Sequence, residues 1–333
     1  MSTEDRCSRD VRATDSKPTG YRRVAPSFVS RNWDVTATPG SGSDGATYAG
    51  VGRPRLSIVI PAFNEQATIA ACLSSLADQD FDGRVEVIVV DNASTDATAS
   101  IARSCGARVV HESVRGVCHA RQRGTAAATG DIIVSSDADT TFDPTWLSQI
   151  DTAMRAQPEV VATCGPCWFV DGPWWSAPYT KALFGVTAWV YRRTGRVLYA
   201  SATNIAFRRS AWTGYDTSLT QGGDELGLLR SLRAHGPVHF DPTRTTLTSS
   251  RRLNRGLIYN TFVTCLFFYL FAYHLNRLVG RPLVGAAPAI RADANQSGQA
   301  EHAGRTSRWR SVGLVLIAAV LATAWRLAPV DVV

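Results

Sequence analysis

Three stretches of sequence decide the fold: SIVIPAFNE (57–65), VIVVDNASTDAT (87–98) and GDIIVSSDADT (130–140). Each contains a run of aliphatic and β-branched residues that is apolar almost throughout, which is typical of a strand buried on both faces. Patterns typical of helices separate the runs. The alternation predicts an α/β fold, in which helices cover both faces of a doubly wound, mostly parallel sheet.

The predicted elements follow one another with short connections. In a parallel sheet of this kind, ligands bind beyond the carboxyl ends of the strands, so the residues after each strand form the candidate site. Ser94 or Thr95 is expected to cap the second helix. The expected strands are 56–61, 85–91, 107–111 and 131–136, and the expected helices are 65–77, 95–105 and 117–129.

Acidic and amide side chains follow three of these strands. The first strand ends at PAFNE (61–65), the second at DNASTD (91–96) and the fourth at DAD (137–139). No G-x-G-x-x-G sequence follows the first strand, and the chain contains no G-x-x-x-x-G-K-[ST] sequence. The sequence therefore lacks the main motif expected of a dinucleotide-dependent oxidoreductase and that expected of a P-loop nucleotidase.

Two carboxylates, Asp137 and Asp139, close an apolar strand, where uncompensated charge is costly. A divalent cation compensates them, and oxygen ligands favour Mg²⁺ or Mn²⁺, which commonly bridge a protein carboxylate and a substrate diphosphate. The alternative is a solvated turn whose two acids cap a helix. The position after the fourth strand favours the metal site.

Four further side chains are candidates for a nucleotide. Asp91 ends the second strand, where its carboxylate can accept hydrogen bonds from a base or a ribose; as a helix cap it has closer competitors. Glu65 can contact a nucleotide or cap its own helix. Arg121 and Arg123 lie on the third helix, where either can meet a diphosphate or belong to a solvated face.

The composition restricts the class of protein. The 333 residues are 45% hydrophobic and 19% charged, which excludes a chain that is disordered throughout. The net charge is +7, and all basic residues except Lys17 and Lys181 are arginines. This charge allows a nucleotide or an anionic membrane as partner. Nucleic acid is not expected, because no basic module with interleaved aromatic residues is present.

The seven cysteines are odd in number and scattered, which argues against a disulfide framework and for a reducing compartment. The C-x-x-C pair of Cys164 and Cys167 is interpreted as structural. Residues 1–52 are polar and lack periodicity, so a disordered tail is expected there, without a signal peptide. A folded domain is expected over 53–250, in the cytoplasm.

These motifs resemble those of a known family. SIVIPAFNE, VIVVDNASTDAT, ARQRG (120–124) and GDIIVSSDADT are similar to the nucleotide-binding half of family 2 glycosyltransferases with the GT-A fold. ATNIAFR (202–208) resembles the strand before that family's acceptor site. GGDELGLLRSLR (222–233) resembles its acidic pair at the start of a helix. The resemblance covers about 55–240, with a donor half over 55–140 and an acceptor half over 141–250.

The resemblance implies a role for each candidate. Asp139, with Asp137, would hold Mn²⁺ or Mg²⁺ on the diphosphate of a nucleotide-sugar donor. The remaining donor-site residues would be Pro61, Ala62, Glu65, Asp91 and Arg121, together with Asp137.

The acidic pair Asp224-Glu225 would supply the catalytic base. The family usually has Glu-Asp with the Asp as base, so alignment by position selects Glu225 and conservation of residue type selects Asp224. An inverting transfer needs such a carboxylate to take the proton of the attacking hydroxyl. The family's processive Q-x-x-R-W signature is absent, and SSRRLNR (249–255) stands in its place, so a single addition is favoured.

Two apolar segments, 257–275 and 312–325, follow in a membrane-associated region expected over 251–333. If both crossed a bilayer, the arginines between them would lie outside, against the positive-inside tendency. The first segment is therefore interpreted as an interfacial or re-entrant helix, and the second as a short transmembrane tail anchor or another interfacial helix. The alternative is that both pack on the catalytic domain or on another subunit.

The sequence thus predicts a membrane-associated, metal-dependent glycosyltransferase at the cytoplasmic face of the cell membrane. Its acceptor would be a hydroxyl group of a lipid carrier, a glycan or a metabolite. Two alternatives stay open: a retaining transferase or nucleotidyltransferase on a similar sheet, and a catalytically inactive, membrane-bound scaffold that binds a sugar nucleotide. The aromatic stretch CWFVDGPWW (167–175) fits acceptor stacking and core or membrane packing equally well.

Overall fold

The structure, a computed structural model, describes residues 54–218 and 224–279. Strands and helices alternate through the first half of this region, as the sequence predicts. The strands are β1 Leu56–Ala62, β2 Val85–Asp91, β3 Arg108–His111, β4 Ile132–Ser135, β5 Thr140–Phe142, β6 Ala162–Cys164, β7 Cys167–Val170, β8 Ile205–Arg208, β9 Val238–Phe240 and β10 Thr246–Ser249. The helices are α1 Ile69–Ala77, α2 Thr98–Ser104, α3 Val117–Ala127, α4 Trp146–Ala156, α5 Ser176–Thr194 and α6 Asp224–Arg233, followed by a π-helix, Tyr259–Ala272, and α7, Tyr273–Val279.

The central sheet has seven strands in the order β3-β2-β1-β4-β8-β6-β9. The four strands of the predicted donor half are parallel to one another. β8 runs antiparallel to both β4 and β6, and β6 is parallel to β9. The sheet is therefore mixed, and the predicted α/β class with mostly parallel pairing is confirmed.

Helices cover both faces of this sheet, because successive strand residues point to opposite sides. Ile58 and Ile60 of β1 pack with α1, α2 and α4 in one core cluster. Val59, between them, packs with α3, α5 and α6 in a second cluster. The strands are thus buried on both faces, as their continuous apolar sequences predict.

Gly124 allows α3 to lie close to the sheet. A Cβ atom at this position would come within 2.5 Å of Val59 and 2.7 Å of Val90, which are side chains of β1 and β2. Only a residue without a side chain fits such an approach. The glycine of the ARQRG sequence therefore fixes the helix that carries Arg121.

Two helices begin later than the sequence predicts. The first begins at Ile69 rather than Glu65, because Asn64 has a left-handed backbone (φ 55°) and a turn follows it. The second begins at Thr98 rather than Thr95. Its first amide is capped by Asp96, whose Oδ1 accepts the Thr98 N–H at 2.9 Å, so the expected caps at positions 94 and 95 were wrong.

A second, three-stranded sheet has the order β5-β10-β7. β10 is antiparallel to β5, which begins directly after Asp139, and the Ser249 N–H donates to the Asp139 carbonyl at 3.3 Å. β10 leads into the 3₁₀ helix Ser250–Arg255. This small sheet therefore brings the 250–255 segment to the carboxyl end of β4.

The described part of the C-terminal region is helical from Tyr259 to Val279. Over the described residues, no helix combines the length and the apolarity that crossing a bilayer requires. The expected tail 1–52 and the expected apolar helix 312–325 lie outside the described residues.

Candidate active site

The loops after β1 and β2 are tied together by hydrogen bonds. The Asn64 N–H donates to Ser94 Oγ at 3.1 Å, and Asn64 Oδ1 accepts the Thr95 N–H at 2.8 Å. The Glu65 N–H donates to Thr98 Oγ1 at 2.8 Å. Side chains that the sequence offers as helix caps thus connect two strand exits, which rigidifies the edge where a donor is expected.

Asp91 lies at the end of β2, paired in register with Ala62 of β1, and is almost fully buried. Its Oδ1 accepts the Ser94 N–H at 3.1 Å. Its Oδ2 lies 3.3 Å from Nδ1 of His111, the last residue of β3. A buried carboxylate at the end of this strand can accept further hydrogen bonds from the N–H groups of a base or the hydroxyl groups of a ribose. Sequence reasoning missed His111, although its position at the end of a parallel strand could have suggested it.

Asn92 holds the loop before α3 rather than capping α2. Its Nδ2 donates to the carbonyls of Glu112 and Val114 at 3.1 and 2.7 Å, and its Oδ1 accepts the Gly116 N–H at 2.8 Å. The amide therefore satisfies three backbone groups of one turn. This fixes the loop that leads into the helix of Arg121.

Arg121 and Asp137 form an ion pair. Arg121 Nη2 donates to Asp137 Oδ1 at 2.5 Å, and the guanidinium side chain is almost completely buried. Arg123, the other candidate on this helix, is exposed, and the contact of either arginine with a diphosphate stays a prediction. Arg121 joins the third helix to the first acid of the D-x-D sequence.

Glu65 and Asp139 share a second arginine, Arg251. Arg251 Nη2 donates to both oxygens of Glu65, at 2.8 and 3.0 Å, and to Oδ2 of Asp139 at 2.6 Å. Thr248 donates to the other oxygen of Asp139 at 3.3 Å. Sequence reasoning missed Arg251; the only signal was a run of arginines where the family's processive signature would stand.

The electrostatics of this cluster follow from its burial. Desolvation is the largest effect on Glu65 and raises the pKa of its carboxyl above the usual 4.5, and the nearby charge of Asp139 acts in the same direction. Hydrogen bonding and charge from Arg251 oppose that rise in the pKa. The positive charge of Arg251 thus offsets the repulsion between the two carboxylates.

A divalent cation fits the chemistry of this edge. Asp137 and Asp139 supply carboxylate oxygens, and each already binds a positive group. Within 54–218 and 224–279, no group of three His, Cys, Asp or Glu side chains is arranged to hold a metal ion. A cation here would thus take one or two carboxylates and complete its shell with diphosphate oxygens and water, which is usual for Mg²⁺.

The predicted base pair opens α6, directly after the undescribed residues 219–223. Glu225 is almost fully buried. The choice between Asp224 and Glu225 as base stays a prediction.

The sequence around β7 is mainly structural. Cys164 and Cys167 are buried thiols, and burial raises the pKa of Cys164 to about 12 and that of Cys167 to about 11. Neither thiol is suited to redox chemistry at neutral pH. Trp175 packs edge-on against Tyr179 at the start of α5, whereas Trp174 is exposed.

Comparison with known families identifies this arrangement. The family model described as "Glycosyl transferase family 2" matches residues 57–214. Over these residues the chain matches family 2. The family 2 resemblance predicted from the motifs is thereby confirmed, and the match runs from the start of β1 past β8.

Curated glycosyltransferases match parts of this chain. An N-acetylglucosaminyltransferase of Azorhizobium caulinodans is 28% identical over 180 residues, which cover 48% of this chain and 43% of that protein. The low-salt glycan biosynthesis hexosyltransferase Agl6 of Haloferax volcanii is 38% identical over 107 residues, or 31% of this chain and 25% of Agl6. The chain thus spans less than half of the length of these relatives.

Solved structures share the fold. The mannosyltransferase PcManGT from Pyrobaculum calidifontis, in complex with GDP-Man and Mn²⁺, superimposes with a TM-score of 0.52 at 22% identity, covering 71% of this chain and 66% of PcManGT. S. aureus TarS 1–349, in complex with UDP, gives a TM-score of 0.50 at 20% identity, covering 68% of this chain and 72% of TarS. At these identities the similarity is one of fold, and it confirms a GT-A-like architecture.

Proposed function

We propose that this family 2 chain is a metal-dependent glycosyltransferase that moves a sugar from a nucleotide-sugar donor to a hydroxyl group. The observation that supports the proposal most directly is the cluster of acids at one edge of the sheet. Glu65, Asp91 and Asp139 lie at or just after the ends of three parallel strands. The guanidinium of Arg251 pairs with both Glu65 and Asp139. The glycosyltransferase names of the relatives, and the GDP-Man and Mn²⁺ bound to PcManGT, support the same activity.

The donor site would use these groups in distinct ways. Asp91 would accept hydrogen bonds from the base or the ribose, beside Pro61 and Ala62 at the end of β1. Asp139, with Asp137, would hold the Mn²⁺ or Mg²⁺. The bound metal would stabilise the negative charge that develops on the departing diphosphate.

The transfer step needs a base near the acceptor. One carboxylate of the Asp224-Glu225 pair would take the hydroxyl proton as the acceptor oxygen forms a bond to the anomeric carbon, while the bond from that carbon to the diphosphate oxygen breaks. Attack from the side opposite the leaving group inverts the configuration. The absence of Q-x-x-R-W supports a single addition rather than polymer synthesis.

Membrane association at the cytoplasmic face is part of the proposal. Leu257, Ile258, Phe262 and Leu266 are exposed in and just before the π-helix, and no Asp or Glu occurs between 255 and 279. Exposed apolar side chains with arginines at both ends of the segment suit a bilayer interface. The acceptor would accordingly be a lipid carrier or a glycan, with a small metabolite as the alternative.

Turnover tests this proposal. The purified chain would be incubated with UDP-, GDP- and dTDP-sugars, Mn²⁺, and either a polyprenyl phosphate or a glycan, and the released nucleoside diphosphate would be measured. We expect the chain to release the nucleoside diphosphate from one of the donors, and Asp139→Asn to abolish this release. Asp82→Asn, an exposed position in the loop before β2, is the control and should retain full activity. Donor binding without release under all conditions would favour the inactive scaffold. The anomeric configuration of the product, read by NMR, separates inversion from retention.

A further inference from the structure

Arg251 places a single guanidinium nitrogen between carboxylates from two different strands. Its Nη2 lies 2.6 Å from Asp139 Oδ2 and 2.8 Å from Glu65 Oε1. Glu65 follows β1 and Asp139 follows β4, whereas Arg251 follows β10 and reaches them from the small sheet. All three side chains are more than three-quarters buried.

This arrangement resembles a cation site that is already filled. Two carboxylates in a poorly solvated place repel each other, so a positive charge between them stabilises both. The guanidinium supplies that charge without a metal. Its own pKa is raised by the hydrogen bonds and charges of Glu65 and Asp139, although burial acts against the rise.

A metal ion would compete with Arg251 for the carboxylate of Asp139. Both oxygens of Asp139 are engaged, one by Thr248 and the other by Arg251. Two cations on one oxygen, in a site that excludes most water, repel each other strongly. Binding of a metal ion to Asp139 Oδ2 would therefore displace Arg251.

We propose that Arg251 competes with the divalent cation for Asp139, so that the cation binds tightly only together with a nucleoside diphosphate. The diphosphate brings the metal and at the same time offers the displaced guanidinium a new anionic partner. Guanidinium groups bind phosphate as readily as carboxylate, so one charge-assisted pair replaces another. This inference rests on the proposed function, since it requires metal and diphosphate at the same edge.

Mn²⁺ binding tests the competition without any turnover. Free Mn²⁺ would be measured by its EPR signal during titration of the full chain, first without nucleotide and then with UDP or GDP. Arg251→Met removes the charge and keeps much of the length. We expect this variant to bind Mn²⁺ about 10-fold more tightly than the unmodified chain when no nucleotide is present, within the usual range of coupling between sites.

The same titration measures the coupling. In the unmodified chain, the nucleotide should raise the Mn²⁺ affinity strongly; in Arg251→Met the rise should be smaller, because the competitor is already gone. Arg255→Met is the matched control: it removes the same charge from the same 3₁₀ helix, but Arg255 contacts Tyr259 rather than the carboxylates. Its Mn²⁺ binding should equal that of the unmodified chain. Thermal unfolding would confirm that each variant is folded.

Two other results separate this inference from the proposed function. If Arg251→Met binds Mn²⁺ no more tightly than the unmodified chain, while nucleotide still promotes Mn²⁺ binding in both, the competition is refuted and the metal-dependent transferase stands. If no Mn²⁺ binds under any condition, metal dependence is refuted and the competition with it.

A second surface carries an independent inference. The helix α5 packs one face on the core and leaves an apolar stripe exposed at Ala182, Val186 and Trp189, which have the i, i+4, i+7 spacing of one helix face. Val186 and Trp189 are 53% and 56% exposed. The buried face consists of Ser176, Thr180, Phe184, Thr187 and Ala188.

Basic residues border this stripe along the helix. Lys181 lies at one end and Arg192 and Arg193 at the other, and the Arg193 guanidinium lies 5.9 Å from the centre of the Trp189 ring. The sequence contains no Asp or Glu from Gly172 to Tyr215. The face is therefore complementary to a surface that is both apolar and anionic.

We propose that the exposed stripe of α5 rests on an anionic bilayer, with Trp189 in the acyl boundary and the flanking cations at lipid phosphates. A tryptophan and aliphatic stripe flanked by Lys and Arg is the pattern of helices that lie in a membrane interface. The contact is separate from the π-helix segment, which the proposed function assigns to the membrane on other residues.

Vesicle co-sedimentation of the full chain tests this contact. Phosphatidylcholine vesicles with phosphatidylglycerol should bind the chain more tightly than phosphatidylcholine alone, and Trp189→Glu should weaken that binding several-fold. Val114→Glu is the control, because Val114 is equally exposed in a loop elsewhere. Unchanged binding of Trp189→Glu, or no preference for anionic vesicles, would overturn the proposal. So would a Trp189→Glu variant that only dissociates a dimer, since the stripe would then be an interface between copies.

Discussion

Arg121 donates to Asp137 at 2.5 Å, so the first acid of the D-x-D sequence is already neutralised by a residue of the third helix. The second acid, Asp139, is held by Arg251, which comes from a distant part of the chain. The two aspartates, which look equivalent in sequence, therefore differ in their surroundings. Asp137 is held by the third helix, and Asp139 faces Arg251, the group that we propose competes with a divalent cation.

The Arg121–Asp137 pair should be important for stability. Arg121→Met removes a buried positive charge and its hydrogen bond to the carboxylate of Asp137. Breaking a fully buried pair costs ~3–5 kcal/mol, and Asp137 is partly exposed, so we expect a loss of roughly 2–4 kcal/mol in the free energy of unfolding. Urea unfolding followed by circular dichroism measures it. Arg123→Met, an exposed arginine two residues away, should change the free energy by less than about 0.5 kcal/mol; equal losses would contradict the structural role.

Substitutions in the acidic pair at the start of α6 should affect the transfer step and leave donor binding unchanged. Glu225→Gln keeps the size of a buried side chain but removes its capacity to accept a proton. We expect it to bind the donor normally and to lose at least about 100-fold in the rate of transfer, in line with the usual contribution of general base catalysis. If Asp224→Asn has this effect and Glu225→Gln does not, Asp224 is the base.

Protonation of His239 should weaken the fold in mildly acidic solution. Burial lowers the pKa of this histidine below 6.5; Asp241 opposes the shift and Arg244 adds to it, and the Tyr191 hydroxyl lies 3.1 Å from Nδ1. Because the unfolded chain takes up this proton more readily, the stabilising contribution is present above pH 6.5 and is lost as the pH falls through the window below it. Between pH 7.5 and 5.5, the free energy of unfolding should fall less in His239→Gln than in the unmodified chain. An identical fall in both would show that His239 does not contribute.

The C-x-x-C pair should be chemically inert in the folded chain. The raised thiol pKa values, about 12 for Cys164 and about 11 for Cys167, leave almost no thiolate at pH 8. Iodoacetamide should label neither residue in the native protein and both after unfolding in urea, as read by peptide mass spectrometry. Rapid labelling of the native protein would indicate an accessible, reactive pair.

The donor half of the fold was predictable because its signals are local. The strand at 85–91 has the bounds that the sequence predicts, since the β-branched run 87–90 is typical of a buried strand. Helix starts were less predictable. Ser94 and Thr95 have the composition of caps, but their partner is Asn64 in another loop, and this contact is not visible in the local sequence.

The role of Arg251 could not be predicted from the sequence, for the same reason. Arg251 lies in an arginine-rich run with no motif of its own, 186 residues from Glu65 and 112 from Asp139. It reaches them only because β10 pairs with β5 directly after the D-x-D sequence. Carboxylates at strand ends can be recognised from the sequence. The arginine that neutralises them is placed by the pairing of two distant strands, which the sequence does not show.

Donor binding by isothermal titration calorimetry tests the central claim, a nucleotide-sugar site at the acidic edge, most directly. UDP-, GDP- and dTDP-sugars would each be titrated into the full chain with Mn²⁺ and with a chelator, and the best ligand then into Asp139→Asn. We expect one nucleotide to bind with Mn²⁺, to bind far more weakly with the chelator, and to be lost in the variant. A folded chain that binds none of the three donors, or an Asp139→Asn variant that binds as well as the unmodified chain, would contradict the account.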